Sequence, residues 1–275
     1  MRNEEAEYRK TSKVFVVSDI EGNFQAFCRL LYKGGVIDKH LKWVYDEGHL
    51  VIVGDCFDRG EQVSECLWLI YYLEEKARRV GGYVHFILGN HEIMNLNGDW
   101  RYVHPKYAAT NSYKNPPTAL YGANNELWRW LCTKNIIEKI GDVLFVHGGI
   151  APEIIKLNVS IAELNNRARQ HYTRAKESFI DSSLKLIFNS DLSPFWYRGY
   201  YRQTISENDI DAILTHFGVK SIITGHTIVS EITTLFNGKV INVNTDHAAG
   251  ISEALIIKKD NYYSMDAAGK RKKIK

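Results

Sequence analysis

The sequence predicts an α/β protein of the α+β sandwich kind, with two β-sheets packed face to face and flanked by helices. Three observations predict it. The early part of the chain alternates short β-rich apolar runs with helix-period patterns. Each run ends at a Gly, Asp or Asn cluster, where α/β sheets carry their polar loops. The last third returns to strands in close succession, enough to build a second sheet.

In chain order, Lys13–Val17, His49–Val53 and Tyr83–Leu88 read as strands. Between them Phe24, Phe27, Leu30 and Leu31 recur at helix spacing, as do Val63, Cys66, Leu67, Ile70 and Leu73. Residues 93–134 break the rhythm with Trp100, Tyr102, Tyr107, Tyr113, Pro116, Pro117 and Tyr121. So many aromatics need a surface to pack on, so this is an insert of short helices and loops, not a linker. Asp142–Val146 is another short apolar run, and a helical stretch over 161–188 precedes a loop at 189–201. Lys220–Thr224, Ile228–Leu235, Lys239–Val243, Glu253–Ile257 and Asn261–Ser264 complete the strands, with Asn237-Gly238 as a hairpin turn. The expected organisation is a tail at 1–12, one domain over 13–265 with the insert at about 93–134, and a basic tail at 266–275.

With 45% hydrophobic and 24% charged residues, the composition is that of an ordinary globular protein. A formal charge of +3 gives no global reason to expect a nucleic-acid partner. The one charge run, Lys270-Arg271-Lys272-Lys273-Ile274-Lys275, reads as a solvated, disordered end. Cys28, Cys56, Cys66 and Cys132 show no paired metal-type spacing and sit in apolar or motif segments, which suits a reducing compartment. Met1 to Lys13 is charged and lacks the apolar centre of a secretory signal. No apolar run approaches the roughly 18 residues of a spanning helix. The expected location is cytoplasmic, with no membrane partner; the sequence carries no signal for an oligomeric state.

Five loops hold the chemistry, each closing a β-rich run: Ser18-Asp19-Ile20-Glu21-Gly22-Asn23, Gly54-Asp55-Cys56-Phe57-Asp58-Arg59-Gly60, Gly89-Asn90-His91-Glu92, His147-Gly148-Gly149 and Gly225-His226-Thr227. Carboxylate, amide oxygen and imidazole are the ligand types of borderline divalent metals such as Mn, Fe and Zn. The glycines let the backbone turn sharply and come close to a ligand. One Gly-Asn-His alone is usually a turn; five such loops in order are not a coincidence.

The ordered set resembles the calcineurin-like metallophosphoesterases, and within them the phosphoprotein phosphatase branch. Gly89-Asn90-His91-Glu92-Ile93-Met94-Asn95-Leu96, followed by Gly98-Asp99 and Arg101-Tyr102-Val103, is similar to the Shewanella-like bacterial protein phosphatases. The match runs from Val14 to about Thr227. The resemblance implies two divalent metal ions (Mn, Fe or Zn), with Asp19, Glu21 and Asp55 on one and Asp55, Asn90, His147 and His226 on the other. It also implies a hydroxide activated between them, His91 as acid for the leaving oxygen, and Asp58 orienting its ring. Arg59 and Arg198, with Asn90, would hold the substrate phosphate. The insert is expected to lie over the metal site, where Trp100, Tyr102 and Tyr107 would pack or shape the pocket.

One departure stands out. The family has His two residues after the first Asp, whereas this chain has Glu21. A carboxylate there adds a negative charge, leaves the cluster nominally neutral, and favours harder ions. The expected substrate is a phosphorylated protein side chain (Ser/Thr or Tyr) or a small phosphoester, with dinucleoside polyphosphate or small-nucleotide hydrolysis as the alternative. A metal-stabilised binding module without turnover is disfavoured, since it has no use for an acid such as His91. His40, His49, His85, His104, His171 and His216 read as core or surface residues, and Asn244-Thr245-Asp246-His247 as turn chemistry near the site.

Overall fold

A computed structural model describes residues 1–108, 125–175, 179–189 and 191–275. Tyr113, Pro116, Pro117 and Tyr121 of the expected insert lie outside the described residues. Among the described residues the strands are β1 (Glu7–Tyr8), β2 (Lys13–Val17), β3 (His49–Val53), β4 (Tyr83–Ile87), β5 (Ile137–Ile140) and β6 (Val143–Val146). The chain continues through β7 (Ser221–Thr224), β8 (Thr233–Leu235), β9 (Val240–Asn242), β10 (Glu253–Lys258), β11 (Asn261–Asp266) and β12 (Arg271–Lys273).

Two six-stranded sheets result, in the orders β12-β11-β10-β2-β3-β4 and β1-β5-β6-β7-β9-β8. β2, β3 and β4 run parallel. Parallel neighbours need a crossover, supplied here by helices α1 (Phe24–Gly34) and α2 (Val63–Arg78). The period of two along each strand then builds two cores. Val14, Val16, Val51 and Val53 meet Val143, Phe145, Ile223 and Ile241 of the facing sheet. Phe15, Val17, Leu50 and Ile52 point the other way, into the cluster holding Phe27, Leu30, Leu67 and Ile70 of the helices. The face-to-face sandwich expected from the sequence is the observed architecture. All five chemistry-bearing loops follow the carboxyl ends of β2, β3, β4, β6 and β7.

Several expected elements change. The run at 228–235 is a strand only over Thr233–Leu235: Val229 makes an isolated bridge to Thr245, and the Ile232 amide donates to the Glu253 carboxylate at 2.6 Å. The helical stretch at 161–188 is interrupted, with helices at Ile161–Arg169 and Ser182–Phe188.

Neither end is a tail. Residues 1–12 include β1, which pairs in parallel with β5 (Glu7 opposite Lys139). Before it, the Glu4 carboxylate accepts from buried Lys134 at 3.0 Å and from Arg78 at 2.8 Å. Lys134, with a side chain 1% exposed, also reaches Glu74 at 2.5 Å, so its charge is matched by two carboxylates. The basic end pairs as β12 on the edge of the other sheet, Met265 opposite Arg271. Exposed lysines on an edge strand discourage further strands from adding.

His49 and His85, expected as ordinary core or surface residues, join a polar cluster at the amino ends of β3 and β4. His85 bonds Glu138 at 2.6 Å through Nδ1 and His49 at 2.9 Å through Nε2, and Tyr8 donates to Tyr83 at 3.0 Å. Burial holds both histidines down to about 3, from 6.5, and pushes Glu138 up to about 8, from 4.5. Glu4, Lys134, Arg78 and Arg169 supply the surrounding charge. Between about 3 and 6.5 the unfolded chain binds more protons at the histidines, so their contribution to stability rises with pH. Between 4.5 and about 8 the folded chain binds more at Glu138, so its contribution falls as pH rises. Two rising groups outweigh one falling group until about 6.5, and the cluster's contribution peaks there. Thermal melts of Glu138→Gln should show a shallower decline between pH 6.5 and 8 than the wild type while keeping the acid limb. An unchanged pH profile would contradict this account.

Candidate metal centre

The loops meet because their backbones are bonded between neighbouring strands of each sheet, and side chains join the two sheets. Asp19 donates to the Gly54 carbonyl at 3.0 Å, Glu21 to that of Asp55 at 2.9 Å, and Gly225 to that of His147 at 2.8 Å. Asp19, Glu21, Asp55, Asp58, Arg59 and His226 all have positive φ, between 47° and 71°. Non-glycine residues rarely adopt this conformation, and a concentration of them marks a site held under strain by its surroundings. Gly54, at φ 84°, is fixed by crowding, since a Cβ there would lie 2.6 Å from His147 Nδ1.

Glu92 anchors the arrangement. Its buried carboxylate accepts from the amides of Asp55 (2.8 Å), Cys56 (2.8 Å), Phe57 (3.3 Å) and Gly89 (2.7 Å), tying the loop after β3 to the loop after β4. Burial pushes its carboxyl up to about 7, against the pull of those amides. Sequence reading included Glu92 in the motif and gave it no role. Glu92 is the third residue of helix α3 (Asn90–Leu96), so its side chain reaches back to the Gly89 amide, and that capping-box spacing was the available signal.

Asp19, Asp55, Asn90, His147 and His226 are all buried and converge. His147 donates through Nδ1 to the Val53 carbonyl at 2.7 Å, which turns Nε2 towards Asn90 Oδ1 and Asp55 Oδ2, 3.0 Å from each. A backbone acceptor behind an imidazole is the usual way a ligating ring is oriented. Asp55 Oδ1 accepts from the His91 amide and Asp19 Oδ2 from the His226 amide, each at 3.0 Å. Ligand atoms of Asp55, His147 and His226 lie within 4.8 Å of one another, as do those of Glu21, Asp55 and His91. His226 Nε2 is buried and, among the described residues, has no hydrogen-bond partner. Burial pushes Asp19 up to about 6, and burial with His147 alongside holds His226 down to about 2. An orphaned imidazole nitrogen among buried carboxylates fits a cation, so the residues present suit divalent metal ions.

The expected catalytic pair is adjacent. His91 Nδ1 is 2.5 Å from Asp58 Oδ2, and its Nε2 is 3.9 Å from Asp55 Oδ2. Asn95, which the sequence reading did not assign, donates to Asp58 Oδ1 at 2.8 Å and to the His91 carbonyl at 2.9 Å. It stands one helical turn after His91 on α3, the spacing that stacks two side chains. Arg59 lies at the mouth, its amide bonded to the Tyr102 carbonyl and its guanidinium 5.7 Å from the Tyr102 ring. That guanidinium also pairs with Glu21. Arg198 is half-buried and donates to Thr227 at 3.0 Å, one residue past His226. Two exposed aromatics flank the opening: Tyr102 beside His91 (ring centroids 5.3 Å apart) and Trp196 edge-on to His226 (5.6 Å). The Asn244–His247 cluster braces the site from behind, with His247 bonding the Ser18 carbonyl at 3.1 Å and Ser252 at 2.9 Å.

A family model described as calcineurin-like phosphoesterase matches residues 12–230. The structure superposes on a cold-active protein-tyrosine phosphatase of a psychrophilic Shewanella species with a TM-score of 0.95 and 39% identity, covering 100% of this chain and 83% of that one. Shewanella-like protein phosphatase 2 of Arabidopsis thaliana is 25% identical over 92% of this chain and 77% of its own length. An uncharacterised protein of Schizosaccharomyces pombe is 29% identical over 82% of this chain and 70% of its length. Among the described residues no helix is long and apolar enough to cross a membrane.

Proposed function

This chain belongs to the calcineurin-like phosphoesterase family, and from that premise we propose that it is a dinuclear-metal phosphomonoesterase acting on phosphorylated proteins, with phosphotyrosine the favoured side chain. The observation that carries the reading is the His91–Asp58 pair, an oriented imidazole next to the metal-ligand cluster. Asp19, Glu21 and Asp55 would hold one metal, and Asp55, Asn90, His147 and His226 the other. When bound, such ions supply Lewis acidity and an acidified water for attack on phosphorus.

The remaining work belongs to side chains. Arg59 and Arg198 would hold phosphate oxygens with planar donors, and the Asn90 amide would assist. Asp58 keeps the proton on His91 Nδ1 directed at itself, so Nε2–H faces the leaving oxygen and delivers its proton as the P–O bond breaks. Tyr102 and Trp196 form two aromatic walls spaced around the opening, which suits a phenyl leaving group. Similarity to a protein-tyrosine phosphatase and to Shewanella-like protein phosphatases supports the same substrate class. The mix of carboxylate, amide and imidazole donors suits Mn, Fe or Zn, and the extra carboxylate of Glu21 favours Mn over Zn.

A panel of phosphotyrosyl, phosphoseryl and phosphothreonyl peptides, para-nitrophenyl phosphate and dinucleoside polyphosphates tests the proposal. The phosphotyrosyl peptides and para-nitrophenyl phosphate should give the highest kcat/KM. Preferential cleavage of the polyphosphate anhydrides would overturn it in favour of a nucleotide hydrolase.

A further inference from the structure

An open groove of about 540 Å³ leads away from Arg59, between the start of α1, the loop at 59–62 and the late loop at 247–252, and reaches Ala267. That size is ordinary for a ligand cleft. Its charge is one-sided. Arg29 lines it from α1, and Lys33 stands one turn further along the same helix face, its chain 3.5 Å from where a Cβ on Gly269 would sit. Among the described residues, no ion pair joins Arg29 or Lys33 to a carboxylate, whereas Arg59, which also lines the groove, pairs with Glu21. Among the described residues Glu61 is the one carboxylate lining the groove, and it faces His104 at 3.7 Å. The first turn of α1 contains no acidic residue and its cap makes no side-chain hydrogen bond, so the positive end of the helix dipole adds to the same potential.

We propose that this groove binds the polypeptide flanking the phosphorylated residue, and that Arg29 and Lys33 select substrates with acidic side chains there. The inference rests on the protein-phosphatase reading. Continuity through Arg59 supports it: a phosphoryl group held at Arg59 would leave the adjoining chain lying along a track of unpaired cations. The cations are exposed, so each contributes modestly and is screened by salt.

The test compares two phosphotyrosyl peptides, identical except that flanking Glu residues in one are Gln in the other, on the wild type and on Arg29→Glu/Lys33→Glu. The wild type should favour the acidic peptide about threefold to tenfold in kcat/KM at low salt, through KM, as two exposed ion pairs predict. The double variant should lose or reverse that preference, with kcat little changed. No acidic preference in the wild type, or an equal loss with para-nitrophenyl phosphate, would overturn the proposal. So would a variant that keeps the preference. Salt-sensitive binding of a single-stranded oligonucleotide that needs Arg29, without any preference among peptides, would assign the track to nucleic acid instead. If neither peptide is cleaved while para-nitrophenyl phosphate is, the protein-phosphatase reading itself fails, an outcome distinct from cleavage without preference.

Discussion

Replacing His91 with Asn should slow turnover of an alkyl phosphate such as phosphoserine by roughly 10²–10⁴-fold, the range expected when a general acid is lost. The imidazole is buried and held through Nδ1 by Asp58 at 2.5 Å, while Asn95 fixes the other Asp58 oxygen. Its position is therefore set before substrate arrives. Asn is smaller and neutral, and the backbone amide of residue 91 still reaches Asp55 Oδ1, so the metal-ligand cluster should survive. The loss should be much smaller for para-nitrophenyl phosphate, because nitrophenolate departs without protonation. Comparing kcat for the two esters in the wild type and the variant checks this. Equal losses for both esters would reassign His91 to positioning the nucleophile or to phosphate binding.

The site was more legible in the sequence than its support. Asp19, Asp55, Asn90, His147 and His226 could be proposed because each lies in a glycine-bearing loop after a β-rich run, a local pattern, and the ordered set resembles that of the family. What holds them is not local. Glu92 acts on amides thirty-odd residues away, and His147 is oriented by a carbonyl on the facing sheet. Glu21 shows the limit of residue-by-residue transfer: the sequence marks the departure from His, and the structure adds that the carboxylate also pairs with the arginine expected to meet phosphate. The ends of the chain were misread for a physical reason. β1 has two residues, one of them charged, and β12 has three, all charged, so neither shows an apolar period. Their pairing depends on edges supplied by β5 and β11, far away or across a turn. β5 was missed because its Glu138 and Lys139 look solvated, yet Glu138 is buried against His85.

The largest effect should come from removing the metals. Without them, buried Asp19 and Asp55 lose the cations that would neutralise them, and His226 Nε2 has no partner among the described residues. Uncompensated buried charge is destabilising, and ligands that bind only the folded state stabilise it by mass action. Stripped protein should therefore melt at a lower temperature as well as lose hydrolysis. The decisive measurement is elemental analysis of the purified protein, followed by chelation and re-addition of Mn, with hydrolysis of para-nitrophenyl phosphate and the melting temperature followed together. The account predicts two metal ions per chain, activity at background after stripping, and recovery of both activity and melting temperature on re-addition. Full activity in protein shown to be metal-free would contradict it.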